Sequence, residues 1–224
     1  MPIKKLKQNL MARRAVKTIS ENLDLSRVLK KPEELPHFWT SETIFGYPAP
    51  LELEIGSGKG LFLSRIADQL PEHNFLGIEI SPKYARFSAA RLCNRQHCNA
   101  IIVCGDAAVI LKEQIPENFL EAVHVYFPDP WWKRSHRKRR ILRLEVLQFI
   151  ECRLRPDGIF HFWTDVEEYF FSTLNLLTTG TSLLGPFDVP EKEAEHDLDY
   201  RTHFERRTRL HGEKVYRTIF RKPH

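Results

Sequence analysis

This 224-residue chain lacks several features, and each absence excludes a class of protein. Its four cysteines, Cys93, Cys98, Cys104 and Cys152, form no Cys-x-x-Cys pair. The Cys93/Cys98 spacing has no matching histidine or second pair, so no metal site is expected. No stretch approaches the roughly 18 apolar residues of a membrane-crossing helix. The start of the chain is basic but no apolar segment follows it, so no secretory leader is expected. With unpaired thiols, this describes a reduced, cytoplasmic protein without membrane attachment. Internal repeats and low-complexity tracts are also missing, which leaves an ordinary globular composition.

What is present begins with charge. The net charge is +5 with a pI near 9.0, a modest excess that suits a polyanionic partner. Basic residues gather at Lys4 to Lys31, Lys133 to Arg143 and Arg201 to Lys222, while the middle is mixed. Residues 1–45 read as a basic extension and 46–224 as the main domain. Within the extension a short helix is expected inside Asn9 to Leu29, then an irregular link through Trp39 to Pro50, broken by Pro32 and Pro36. Such an arm has two readings: it lies on nucleic acid, or it is a frayed, solubilising terminus.

From Leu51 onward strands and helices alternate. Strands are expected over Leu51 to Ile55, Asn74 to Ile80, Ala100 to Cys104, Phe119 to Phe127 and Ile159 to Thr164. Helices are expected over Leu61 to Leu70, Lys83 to Asn94, Ala107 to Gln114, Ile141 to Leu154 and Val166 to Leu177. Pro156-Asp157-Gly158 reads as a turn, Glu191 to Asp199 as a loop, and Lys214 to Arg221 as a closing strand. This rhythm means an α/β fold, a parallel sheet with helices on both faces.

The chain is organised around Val125 to Arg140, where an apolar strand passes into a Pro-Asp-Pro turn and then a cationic run. Pro128 and Pro130 fix their own φ and push Phe127 and Asp129 toward extended backbone. The Asp129 carboxylate therefore projects from a restricted turn. Trp131 and Trp132 follow, then Lys133, Arg134, Arg137, Lys138, Arg139 and Arg140 with no acid among them. A fixed carboxylate, aromatic surface and a cationic belt together suit a site that holds an RNA base, whereas a charge run alone would be a solvated loop. Trp131 is either a stacking platform or an aromatic anchor of the turn, and an aromatic just after a strand end usually packs back.

Gly56-Ser57-Gly58-Lys59-Gly60 joins the first strand to the first helix, where backbone must approach something closely. It is not a phosphate-binding P-loop, which needs Gly-Lys-Ser/Thr after four spacers. Nor is it the dinucleotide pattern, whose third glycine falls one residue later. It matches the Glu-x-Gly-x-Gly-x-Gly turn of S-adenosylmethionine enzymes, with Glu54 in front. Glu79 ends the second strand, where an acid accepts hydrogen bonds from ribose hydroxyls, and Asp106 follows the third. Asp106 alone reads as a helix N-cap. Three acids on consecutive strand ends favour a cationic cofactor over one carrying pyrophosphate.

These residues resemble the tRNA (guanine-N7-)-methyltransferase family. The resemblance runs through Leu53 to Gly60, Gly77-Ile78-Glu79, Asp106-Ala107, Phe127 to Trp131 with Lys133 and His136 to Arg140, Thr164-Asp165, Thr202 to Glu205, and Gly212. It implies a Rossmann-like class I methyltransferase fold, a mostly parallel seven-stranded sheet with an antiparallel C-terminal edge strand. The implied cofactor is S-adenosylmethionine, with Glu54 and Gly56 on its methionine side, Glu79 on the ribose, and Asp106 and Ala107 on the adenine. Asp129 would be the catalytic carboxylate and would also border the cofactor. Lys133, Asp165, Thr202 and Glu205 would hold the substrate guanosine. Ser135, His136, Arg137, Lys138, Arg139 and Arg140 would contact the RNA. The implied substrate is tRNA, at the variable-loop guanosine (nucleotide 46), with no obligate protein partner and a monomeric or homodimeric enzyme.

Guanine N7 carries a lone pair and no proton, so its methylation needs no general base. The ring becomes cationic as the bond forms, and a fixed carboxylate stabilises that charge. Either Glu205 or Asp165 suits the N1–H and N2 amine edge of the base. Two other readings remain: an RNA-binding protein on a degenerate methyltransferase fold, and a methyltransferase acting on an amine.

Overall fold

A computed structural model describes residues 23–131, 134–191 and 200–224. Among these residues eight strands form one sheet: β1 (Leu29–Lys30), β2 (Leu51–Ile55), β3 (Asn74–Glu79), β4 (Ala100–Cys104), β5 (Leu120–Tyr126), β6 (Leu154–Thr164), β7 (Leu184–Asp188) and β8 (Tyr216–Arg221). Their order is β1-β4-β3-β2-β5-β6-β8-β7. The pairs from β1 to β6 are parallel, and β8 runs antiparallel to both β6 and β7. The mostly parallel α/β sheet with an antiparallel C-terminal end is thus as expected. Two details go further: β1 is an eighth, two-residue strand, and β8 sits one place in from the edge, which β7 occupies.

The helices are α1 (Ser41–Phe45), α2 (Leu61–Gln69), α3 (Pro82–Asn94), α4 (Ala107–Glu113), α5 (Leu144–Arg153), α6 (Glu167–Gly180) and α7 (His203–Leu210). Each βαβ connection in a parallel sheet is right-handed, so the direction of strand travel sets the face its helix covers. Travel from β2 to β4 goes one way and places α2 and α3 on one face, where Leu63, Ala67, Ala85, Ala89 and Leu92 pack with Phe75 and Ile102. Travel then reverses toward β5 and β6, and α4, α5 and α6 cover the other face around Leu53, Ile55, Val123, Phe160 and Phe162. Trp39, from the expected irregular link, is fully buried in this second core.

The main departures have local causes. Most of the span Asn9 to Leu29, within which a short helix is expected, lies outside the described residues, and Leu29 begins β1. β6 starts at Leu154, because Leu120 pairs with Leu154 before a register shift, and the expected Pro156-Asp157-Gly158 turn becomes an irregularity in the strand. There Asp157 has φ +62°, and Lys222 brackets it through bonds to Asp157 N and Gly158 O. Most of the predicted loop from Glu191 to Asp199 lies outside the described residues, while β7 and α7 have no counterpart among the expected elements.

Candidate active site at the strand ends

Register places the predicted residues in one row. Ile55 lies opposite Ile78 on one side and Val125 on the other, and these align with Val103 and Phe162. The glycine turn, Glu79, Asp106, the Asp129 turn and Asp165 therefore all leave the carboxyl edge of the sheet. In open α/β sheets that edge, at the point where strand order reverses, is where ligands bind. Here the reversal falls between β2 and β5.

The cofactor side is tied down through backbone. Gly56, Gly58 and Gly60 have φ of +80°, +52° and +66°, conformations that side chains disfavour. A Cβ on Gly60 would come within 2.8 Å of the Ser88 Cα, so α2 and α3 meet only because that atom is missing. A Cβ on Gly56 would meet nothing within 4 Å, which leaves its backbone open to a ligand. The two Glu79 carboxylate oxygens accept from Gly58 N and Ser81 N, both at 2.8 Å, which fixes the acid to the loop. Glu54 is buried and its Oε2 has no hydrogen-bond partner. Burial pushes its pKa up to about 8, the Ser57 hydroxyl opposing and the Glu79 charge assisting. A buried acid with one oxygen unpaired, next to an open glycine, fits a cationic ligand group. Asp106 caps α4, accepting from Ala108 N at 2.8 Å, and Ala107 is buried beside it.

The opposite side is held less by hydrogen bonds within one turn and more by anchors at its ends. Asp129 is exposed, and it stands between two non-glycine residues with positive φ, Phe127 at +50° and Trp131 at +43°. The expectation of extended backbone at Phe127 is thus corrected. Its N–H donates to Trp163 O at 2.8 Å, and that contact turns the chain before Pro128. Left-handed residues of this kind cost roughly 1–3 kcal/mol each and concentrate at functional turns. At the far end Arg140 Nε donates to Pro130 O at 2.7 Å. Arg140 is buried, pairs with Glu168 at 2.7 Å and stacks 4.5 Å over the Tyr169 ring. Its geometry is that of an anchor, unlike the exposed Ser135, Lys138 and Arg139 of the same run. His136 is half-buried and meets the Trp131 ring edge-on at 5.9 Å, and the Arg139 guanidinium lies 5.0 Å over the same ring. Trp131 therefore packs within its own loop, in neither large core. Arg137 belongs to the same 3-10 turn, Arg134–Arg139, whereas Lys133 and Trp132 lie outside the described residues.

The third part of the site is α7. Thr202 is its N-cap and accepts from Glu205 N at 3.0 Å. Glu205 is not a surface acid beside Arg206 and Arg207, the reading its sequence neighbours suggest. It is buried, accepts from Arg201 N at 2.6 Å, and faces Arg209 and Arg217 at 3.4 and 3.5 Å. Asp165 is half-buried at the end of β6. Phe204 is exposed and stacks on Phe127 with centroids 6.2 Å apart, which brings α7 to the Asp129 turn.

One supporting network is not evident from the sequence reading. Arg201 Nη1 donates to the Tyr126 hydroxyl at 2.9 Å, which lies 2.9 Å from His124 Nδ1, while His124 Nε2 lies 2.7 Å from Glu52. One proton order satisfies every member: Tyr126 donates to Nδ1 and Nε2–H donates to Glu52. Burial alone would raise Glu52, but hydrogen bonds from His124 and His73 outweigh it and hold its pKa down. The signal is the period of two that places Glu52 with Glu54, and His124 with Tyr126.

Comparison with known proteins agrees with this geometry. A family model described as "Putative methyltransferase" matches residues 48–218. The tRNA (guanine-N(7)-)-methyltransferase of Rhodopirellula baltica is 48% identical over 219 residues, covering 95% of this chain and 80% of the relative. That of Legionella pneumophila (strain Corby) is 35% identical, covering 84% of each chain. Among solved structures, the antibiotic-resistance methyltransferase Kmr superposes with TM-score 0.55 at 15% identity, covering 83% of this chain and 94% of that one, a likeness of fold.

Proposed function

The chain belongs to the tRNA (guanine-N(7)-)-methyltransferase family, and on that premise we propose that it transfers a methyl group from S-adenosylmethionine to N7 of a tRNA guanosine, nucleotide 46 of the variable loop. The observation that carries this reading is the single row of acids along the strand ends, in which a buried Glu54 with an unpaired Oε2 and an exposed Asp129 follow the neighbouring strands β2 and β5, where the strand order reverses.

When bound, S-adenosylmethionine supplies an electrophilic methyl on a cationic sulfur. Glu54 and Gly56 would face its amino-acid end, where a positive charge nearby favours the ionised form of Glu54. Glu79 would accept from the ribose while still holding Gly58 and Ser81, and Asp106 with Ala107 would border the adenine. Asp129 would lie against the guanine ring and offset the charge that develops there, with no proton to remove. Holding N7 in line with the methyl supplies most of the remaining acceleration. Asp165 and the Thr202 to Glu205 segment would grip the guanosine, with Lys133 beside them. The Glu205 carboxylate is already engaged by Arg201 N and two arginines, so Asp165 is the freer group for the guanine edge. Ser135, His136, Arg137, Lys138 and Arg139 would meet phosphates, and Arg140 would position the turn from beneath.

A variable-loop nucleotide costs less to unstack than one in a duplex, which suits a site at a sheet edge. The enzyme would act without an obligate protein partner, in the cytoplasm, where its four free cysteines stay reduced. Among the described residues no helix is long and apolar enough to cross a membrane. The test is transfer of labelled methyl to unmodified tRNA, with the product cleaved at N7-methylguanine. Label at one variable-loop guanosine is expected. Label on another atom or another loop would refute the assignment.

A further inference from the structure

Several arginines among the described residues are paired with carboxylates. Arg95 bonds Asp68, Arg155 pairs with Glu121, and Arg153 lies 3.3 Å from Glu117. Arg209 and Arg217 share Glu191 at 2.6 and 2.9 Å and both face Glu205. A cluster beside the glycine turn is built differently. Lys59, at the tip of the glycine turn, is exposed, and its carbonyl accepts from Arg91 Nε of α3 at 3.0 Å. Arg91 Nη2 lies 3.3 Å from His203 Nε2, the first residue of α7. Among the described residues neither Lys59 nor Arg91 has a carboxylate partner.

Three separate elements therefore bring cationic and imidazole groups together with no acid between them. The local electrostatics register the crowding. Burial and then Arg91, Lys59, Arg65 and Arg206 push the His203 pKa down to about 4. Burial and the neighbouring arginines Arg95 and Arg65 also lower Arg91. Like charges held together in this way oppose folding, and such violations mark sites kept for a ligand of opposite sign.

The position identifies the ligand. Arg140 packs with Glu168 and Tyr169, so the Ser135–Arg139 run belongs to the face covered by α5 and α6. Lys59 and Arg91 belong to the opposite face, covered by α2 and α3. The strand-end site lies between the two. A polyanion whose target base enters that site continues on both sides of it, and the second side needs its own phosphate contacts.

We propose that Lys59, Arg91 and His203 form a second phosphate-binding surface, which grips the tRNA backbone on the α2/α3 side of the target nucleotide. This rests on tRNA being the substrate.

The experiment measures binding of an unmodified tRNA transcript against KCl concentration. The Lys59→Gln/Arg91→Gln double variant is expected to bind about tenfold more weakly at 0.1 M salt. Its log–log salt slope should be shallower by roughly 1–2, because one or two fewer phosphates are neutralised. Arg91→Lys, which keeps the charge, should retain the wild-type slope, and so should Lys112→Gln on α4, across the sheet. S-adenosylmethionine affinity, measured alone, should not change. An unchanged slope in the double variant would overturn the proposal, as would an equal loss in Arg91→Lys or a parallel loss of cofactor binding. If the wild-type protein neither binds nor methylates tRNA, the proposed function falls with it. A wild type that methylates tRNA beside a double variant of unchanged slope removes only this surface.

Discussion

On the β2–β4 side of the strand-end edge, the acids sit in a frame of glycines and backbone hydrogen bonds, and little there can move without breaking a close contact. Glu79 is bonded twice to main chain, and Gly60 lets two helices touch. On the β5–β6 side the carboxylate is exposed between two left-handed residues, Phe127 and Trp131, and anchors hold the turn from its two ends. The first arrangement suits a small cofactor of fixed shape. The second suits a nucleotide that must enter from a large RNA and leave again, since access and restraint have to coexist. Both halves spend stability at the strand-end edge, one on a buried acid with an unpaired oxygen and one on left-handed residues.

The cofactor side is most sensitive at Gly60. Gly60→Val places a side chain at φ +66° and against Ser88 backbone, and should destabilise the protein by roughly 2–5 kcal/mol. Thermal unfolding checks this, and an unchanged midpoint would mean that the glycine turn is less constrained than its packing implies. A smaller effect is expected at the acceptor side's anchor. Arg140→Met removes the bond to Pro130 O and the pair with Glu168, so methyl transfer should slow by about tenfold, in the range of one lost charged hydrogen bond. Cofactor affinity should stay as it was, and isothermal titration against single-turnover rates separates the two.

A third effect is a pH dependence. Glu54 has a folded-state pKa of about 8, above its ordinary value of 4.5, so the folded protein binds more protons than the unfolded one between these limits. Stability of the ligand-free protein should therefore fall as pH rises through that window. Cofactor affinity should rise over the same window, because a cationic ligand favours the carboxylate. Glu54→Gln should flatten both trends, as measured by calorimetry at several pH values. A wild type and variant with parallel profiles would remove Glu54 from the cofactor pocket.

Much of this edge is legible in the sequence because its determinants are local. The glycine turn after an apolar strand, an acid ending the next strand, and two prolines around Asp129 all announce themselves within a few residues. The hidden parts depend on partners distant in sequence. Arg140 looks like one more cation in a run, and only Glu168 and Tyr169 reveal it as an anchor. Phe127 precedes a proline and should be extended, yet Trp163 O turns it left-handed. β7 contains Gly185-Pro186, a pair that reads as a break, and the strand forms because it lies at the sheet's edge, where proline is tolerated. Helix α7 is a different case, because its signal is local. It is too polar to show an apolar stripe, but Thr202-x-x-Glu205 is a helix-start pattern, and Thr202 does cap it.

The most direct test of a division between a cofactor half and an acceptor half is Asp129→Asn. It should be compared with wild type in single-turnover methyl transfer to tRNA at saturating S-adenosylmethionine, with cofactor affinity measured in parallel. If Asp129 acts on the charge developing in the guanine, transfer should fall by about 10²–10³ while the cofactor still binds. Transfer at the wild-type rate, or a loss fully explained by failed cofactor binding, would contradict that division.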